Sequence, residues 1–226
     1  LTTMIERTVS KSITDDFKKE KIILLMGARQ VGKTNLAHEL AKGRQRVLHL
    51  NCDNYDDRAD LEHQTSTELT ALLAGYDFVL IDEAQRVPNI GMTIKMIGDL
   101  KLPVPTVVTG SSSLELLEGI KEPATGRHID YELFPLSLPE LIAHNGRREE
   151  HRLLEQRLIF GFYPEVVTDL SDAKRTLMTL ANDYLYKDLL AYKGVKRPEV
   201  LHKLLVALAL QVGSEVSYNE LSGLLG

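Results

Sequence analysis

Residues 27–34 read Gly-Ala-Arg-Gln-Val-Gly-Lys-Thr, with the apolar run Ile22-Ile23-Leu24-Leu25-Met26 before them and a helix-like stretch, Asn35 to Lys42, behind. The spacing is G-x-x-x-x-G-K-[ST], the pattern of a loop that cradles phosphates when a strand enters it and a helix leaves it. That context matters because successive loop N–H groups and the N-terminal dipole of the new helix must converge on the β- and γ-phosphates. Glycine at 27 and 32 lets the backbone approach that closely. The candidate nucleotide contacts are therefore Gly27, Ala28, Arg29, Gln30, Val31, Gly32, Lys33, Thr34 and Asn35. In this reading Lys33 bridges the β/γ oxygens as a catalytic group, and the Thr34 hydroxyl is a ligand of the Mg²⁺ that rides on the nucleotide. Arg29 has three readings: a contact to the phosphates, a contact to a neighbouring subunit, or a side chain in solvent.

Outward from the loop, short apolar segments alternate with helix-like ones through the first 135 residues, as β-α-β units of a parallel sheet covered on both faces should. Five strands are expected, at Lys21–Met26, Arg46–Asn51, Asp77–Asp82, Val104–Thr109 and His128–Phe134, joined by segments that include Leu61–Ala74 and Ile90–Leu100. The fold class is α/β: a three-layer P-loop nucleotide-binding core with a five-stranded parallel sheet, a small helical lid and the start of a winged-helix module.

The third strand delivers Asp82-Glu83 at its C-terminal edge. A metal-assisted hydrolase needs one acid committed to the cation and one free as base: Asp82 is expected to hold Mg²⁺, and Glu83 to orient and deprotonate the attacking water. The Arg46–Asn51 strand lies between the phosphate-loop strand and the Asp82 strand, as in P-loop ATPases with an extra central strand and a catalytic glutamate. The fourth strand ends in Val107-Val108-Thr109-Gly110-Ser111-Ser112-Ser113, hydroxyls suited to sensing a γ-phosphate or to capping a helix from Leu114 to Glu118. Thr109 and Ser111 are the sensor candidates. Gly126-Arg127 opens the fifth strand, and Arg127 is a candidate for stabilising transition-state charge, in cis or in trans; its alternative is an exposed turn arginine. Asn51 and Asp53 end the second strand, where α/β sheets bind ligands and where local Asx turns also form.

After Pro135 the β pattern stops, and Ser137-Leu138-Pro139-Glu140 has the form of a capping box that opens a helical region. This region is expected to run to about Lys193, broken at Asn145-Gly146 and at Gly161-Phe162-Tyr163-Pro164, with Leu177, Leu180, Tyr184 and Leu185 as a core stripe. A last segment from Pro198 carries a Leu201–Leu210 helix, a break at Gly213-Ser214 and a second capping box at Ser217-x-x-Glu220, which together suggest helix-turn-helix. The expected division is a core over 1–135, a helical lid over 136–195 and the start of a truncated module over 196–226.

The formal net charge of −5 and a pI near 5.8 speak against a chain-wide basic surface for nucleic acid. Cys52 is the only cysteine, so no internal disulfide forms, and a reducing, cytoplasmic setting is expected. The seven histidines lack metal-ligand spacing, so the only metal expected is that of the nucleotide. No apolar run approaches the roughly 20 residues that span a bilayer. Met4 reads as a natural start preceded by three extra residues.

Taken together, GARQVGKT, LIDEAQRVPN, VVTGSSS, TGRHIDYELFPLSLPEL and GFYPEV resemble the predicted AAA-superfamily ATPases of bacteria and archaea, in which an ATPase core precedes a C-terminal domain of uncharacterised function. GFYPE departs from the Gly-Gly-Tyr-Pro form by an inserted Phe162. The resemblance implies ATP binding at Gly27 to Thr34, a Walker B pair at Asp82 and Glu83, a sensor near Ser111 and a functional Arg127. It also implies that Asp188 belongs to the start of a C-terminal winged-helix module. The expected function is an Mg-dependent, ATP-hydrolysing switch that moves the C-terminal module, with a homo-oligomer and an unidentified protein as partners. The rival readings are a small-molecule phosphotransferase and an ATP-regulated DNA-binding protein, the latter acting only through a C-terminal module that this chain truncates. A GTPase ranks lower, since no Asn/Thr-Lys-x-Asp motif occurs.

Overall fold

The computed structural model describes residues 4–111, 124–182 and 198–225. The described residues form five strands: β1 (Ile22–Gly27), β2 (Val47–Asn51), β3 (Phe78–Asp82), β4 (Thr106–Ser111) and β5 (His128–Glu132). All run parallel, in the spatial order β2-β3-β4-β1-β5. β2 intervenes between β1 and β3 along the chain only. In space the inserted strand is β4, and β2 lies at the edge.

Burial explains why these segments form strands. β1 and β3 are buried along their whole length and β4 along all but its last residue, whereas the edge strands β2 and β5 each bury at most one position. A strand covered on both faces has no polar side, which is why β1 and β3 read as apolar runs up to their last residue, while β4 buries Thr106 and Thr109 as well as its valines. Alternate side chains still part to opposite faces. Ile22, Leu24, Met26, Val79, Ile81 and Val108 join one core, with Leu69 and Leu73 of α4 (Ser66–Leu73) and Ile90, Ile94 and Ile97 of α5 (Ile90–Asp99). Ile23, Leu25, Phe78, Leu80 and Val107 join the other, with Ile13 of α1 (Val9–Asp16) and Leu36 and Ala37 of α2 (Lys33–Leu40). The result is three layers. The short α3 (Tyr55–Ala59) follows β2, with Asn54 as its cap.

Beyond β5 the capping box forms as the sequence implies. Ser137 Oγ accepts from the Glu140 N–H at 3.4 Å, and the Glu140 carboxylate accepts from the Ser137 N–H at 2.7 Å. It opens α6 (Leu138–Asn145), followed by α7 (Arg147–Arg152), α8 (Leu154–Phe160) and α9 (Pro164–Thr168). Gly146 and Gly161, both with positive φ, make the two expected breaks.

The chain divides into two compact units, Leu1–Ser171 and Asp172–Gly226. Within the second, Leu180 is buried in the helix Ala173–Leu180, while Tyr184, Leu185 and Asp188 lie outside the described residues. Helices Pro198–Ala209 and Tyr218–Leu225 pack on each other across a turn at Gly213. Among the described residues, no helix is long and apolar enough to cross a membrane.

Candidate nucleotide site

The eight-residue loop leaves β1 at Gly27, where an added Cβ would sit 2.3 Å from the Leu133 carbonyl oxygen. Only glycine fits there, because the chain leaving β5 crosses the mouth of β1, with the Leu133 N–H donating to the Met26 carbonyl at 2.7 Å. Gln30 and Gly32 take positive φ, 60° and 96°. Left-handed residues set between right-handed ones turn successive N–H groups to one side, which makes an anion-binding nest. Gly32 then caps α2, so the helix dipole points into the same space.

Lys33 is buried, and its ammonium folds back into the loop, donating to the Gly27 carbonyl at 3.0 Å and the Ala28 carbonyl at 2.8 Å. These are weak acceptors for a full charge, so an arriving phosphate competes well for the same protons. Thr34 Oγ1 donates to both oxygens of Asp82, at 3.1 and 2.9 Å. Hydroxyl and carboxylate are hard oxygen donors, and side by side they fit a magnesium ion better than a softer metal. No group of three or more His, Cys, Asp or Glu is placed to hold a metal among the described residues.

A continuous set of hydrogen bonds links this pair to the next strand. The fully buried Thr109 of β4 donates from its hydroxyl to Asp82 and accepts from the Glu83 N–H at 3.2 Å. Glu83 turns the chain out of β3 with φ 54°, an unusual angle for a side chain with a Cβ. Its carboxylate accepts from the Gln85 side-chain amide, whose oxygen accepts from the Ser111 N–H at 3.3 Å. Register places Ser111 directly beside Gly27. The insertion of β4 between β1 and β3 thus brings Lys33, Thr34, Asp82, Glu83, Thr109 and Ser111 to one end of the sheet. Ser112 and Ser113 lie outside the described residues.

One expected residue falls at the other end of the sheet, and two stay at the loop's end outside the hydrogen-bonded set, with Asn51 beside Asp82 by register. Arg127 precedes β5, and the Ile22 N–H, at the start of β1, donates to its carbonyl at 3.0 Å. It therefore lies at the opposite edge of the sheet from the loop, which corrects the reading of Arg127 as a cis partner of the γ-phosphate. At about 3.3 Å per residue, the length of β1 alone separates the two ends by roughly 17 Å. There its stem lies against Gly98 and its exposed guanidinium donates to Asp99 at 2.8 Å and to the Thr125 carbonyl. Asn51 and Asp53 form a local turn, the Asp53 N–H donating to Asn51 Oδ1 at 3.1 Å, and Asp53 also accepts from Arg86 at 2.8 Å.

A cleft of about 760 Å³ opens over the loop. Its polar floor is Gly32, Lys33, Thr34 and Glu83, and its apolar side includes Ile5, Leu136 and Pro164. That volume and that division suit a nucleotide, phosphates on the floor and base against the apolar wall. Sequence reading missed Gln85, although its place two residues beyond Glu83 was a signal, and it missed Arg7 and the second role of Glu140, both of which depend on partners far away in the chain.

The model of an AAA domain family matches residues 19–142, and that of a domain of unknown function matches residues 151–226. The solved Walker-type ATPase PaBY2304 of Pyrococcus abyssi overlays with a TM-score of 0.60 at 16% identity, over 98% of this chain and 88% of that one. An uncharacterised protein of Haemophilus influenzae is 24% identical over an alignment of 223 residues that covers 90% of this chain and 55% of the relative. The chain thus spans about half the length of that relative.

Proposed function

The chain belongs to the AAA domain family, and on that premise we propose that it binds Mg-ATP in the cleft above Lys33 and hydrolyses it with Glu83 as general base. The observation that carries this reading is the unbroken path Thr34–Asp82–Thr109–Glu83 beside the loop. It sets a metal-holding pair and a separate carboxylate at the distance of one residue, so that one acid is committed and the other is available. Lys33 exchanges its two loop carbonyls for β/γ-phosphate oxygens. Thr34 and Asp82 are suited to hold the magnesium of the nucleotide, which supplies charge neutralisation on the transferring group. Glu83 must leave the Gln85 amide to reach a water, and Thr109, bonded to the Asp82 carboxylate and to the Glu83 backbone N–H, is placed to couple the fourth strand to that change.

Arg127 enters this mechanism only in trans, from a second copy whose β5 edge faces the cleft. Output is assigned to the segments beyond the core: a lid over 136–195 and a winged-helix start from 196, repositioned by hydrolysis. The test of the engine is Glu83→Gln. ATP affinity should hold while steady-state turnover drops by about 10²–10⁴, the usual worth of a general base; unchanged turnover removes Glu83 from the mechanism. The test of Arg127 is the rate per molecule across a wide range of protein concentration. It should climb as copies associate and stay flat in Arg127→Ala.

A further inference from the structure

Arg7 lies ahead of α1, twenty residues before the loop in sequence, yet it is buried against it. Its Nη1 donates to the Val31 carbonyl at 2.8 Å, inside the phosphate loop. Nη2 donates to the Phe134 carbonyl at 2.5 Å and to the Pro135 carbonyl at 3.5 Å, where the chain leaves β5. Nε donates to Glu140 at 3.1 Å. Glu140 is in turn filled, accepting also from the Thr8 N–H at 2.9 Å, the Thr8 hydroxyl at 3.3 Å and the Ser137 N–H at 2.7 Å. Burial by itself pushes the Glu140 carboxyl up, but these N–H donors and the Arg7 charge outweigh it and hold it below the usual carboxylate range. The guanidinium is thus fixed in orientation by a carboxylate that stays ionised, and only a planar fork can reach three such directions at once.

We propose that Arg7 is a positioning residue of the phosphate loop, holding the Val31 carbonyl so that the Gly32 N–H is aimed into the phosphate cradle. In a trans peptide the carbonyl and the following N–H point in opposite directions, and the chain has no cis peptide among its described residues. Drawing the Val31 oxygen toward Arg7 therefore turns the Gly32 N–H away from it. Gly32 sits at φ 96° with the Arg7 Nη1 3.7 Å from where a Cβ would be, so the loop is held at its most adaptable residue. A loop already in its binding conformation loses less freedom when a phosphate arrives, and the gain appears as affinity. The inference rests on reading the cleft as a nucleotide site.

The test is the Kd of ADP for wild type, Arg7→Lys and Arg157→Lys, by calorimetry well below each protein's melting midpoint. Arg157 is equally buried on a glutamate but touches no part of the loop, so it measures what damage to a buried pair does by itself. Arg7→Lys should weaken ADP about five- to twentyfold, the worth of one to two hydrogen bonds, and Arg157→Lys should stay within about twofold. Equal affinity in Arg7→Lys and wild type overturns the proposal, as does an equal loss in both variants. Should Arg7→Lys fail to fold, Glu140→Gln, which keeps the guanidinium but removes its counter-charge, should weaken ADP about two- to fivefold, and no change there overturns the proposal too. Wild type that binds no ADP sinks the nucleotide reading itself, whereas wild type that binds with Arg7→Lys unaltered sinks this inference alone.

Discussion

Arg7 and Arg157 are each almost fully enclosed, at 8% and 2% exposure, and each is paired with a buried glutamate, yet their guanidinium groups reach very different parts of the chain. Arg157 in α8 meets Glu150 in α7 through two parallel bonds of 3.0 Å, seven residues apart, with Asn145 donating to the same carboxylate at 2.6 Å. Its Nη1 is buried with no hydrogen-bond partner among the described residues. Arg7 spans 133 residues to Glu140 and spends its remaining protons on carbonyls of the phosphate loop and of the β5 exit. The local pair closes a turn between two short helices and leaves one guanidinium nitrogen, with its two protons, unmatched. The long-range pair is matched at every direction it offers to the loop. Buried charge is therefore used twice, once to fix local helical geometry and once to tie three distant segments around the candidate site.

The sharpest way to separate the two is to remove the local cation. Arg157→Ala leaves Glu150 buried without its counter-charge and should lower unfolding free energy by about 3–5 kcal/mol, while replacing both partners with leucine should restore most of that loss. Chemical denaturation checks both, and a pair that resists removal but not double replacement would mean that helix packing, not charge, holds the turn. A smaller effect follows from pH. The Arg157 hydrogen bonds lead the causes that pull Glu150 below its ordinary range against the opposing effect of burial. A carboxyl whose folded value is depressed adds stability that is present above its unfolded value, about 4.3, and is lost as pH falls through the folded value. The gap between wild type and Arg157→Ala should therefore narrow as pH falls from about 4.3 through the lower folded value, as Glu150 takes up a proton. A constant gap would show that Glu150 is not the group responsible.

Much of this arrangement was legible beforehand because it is local. The phosphate loop, the apolar strands, Asp82-Glu83 and the capping box at Ser137–Glu140 are short patterns whose partners lie within a few residues, and each strand forms within two residues of its expected bounds. Arg7 was invisible because its partners lie 24, 127 and 133 residues away. The end of the sheet on which Arg127 lies was legible and was missed. A residue that precedes a parallel strand lies at the end away from a loop that follows one, whatever the motif around it. The insertion of β4 between β1 and β3 is a matter of topology, and no single segment encodes it.

That insertion also sets an order of events in time. β1 pairs with β4 and β5 and with no earlier strand. A chain growing from a ribosome therefore carries the most apolar strand of the molecule, and the phosphate loop behind it, with neither edge paired while about 80 further residues are made, roughly 4–16 s at ordinary synthesis rates. β2 and β3 can pair during that interval. For β1, early protection falls to helices α1 and α2, which emerge on either side of it and can cover only one face.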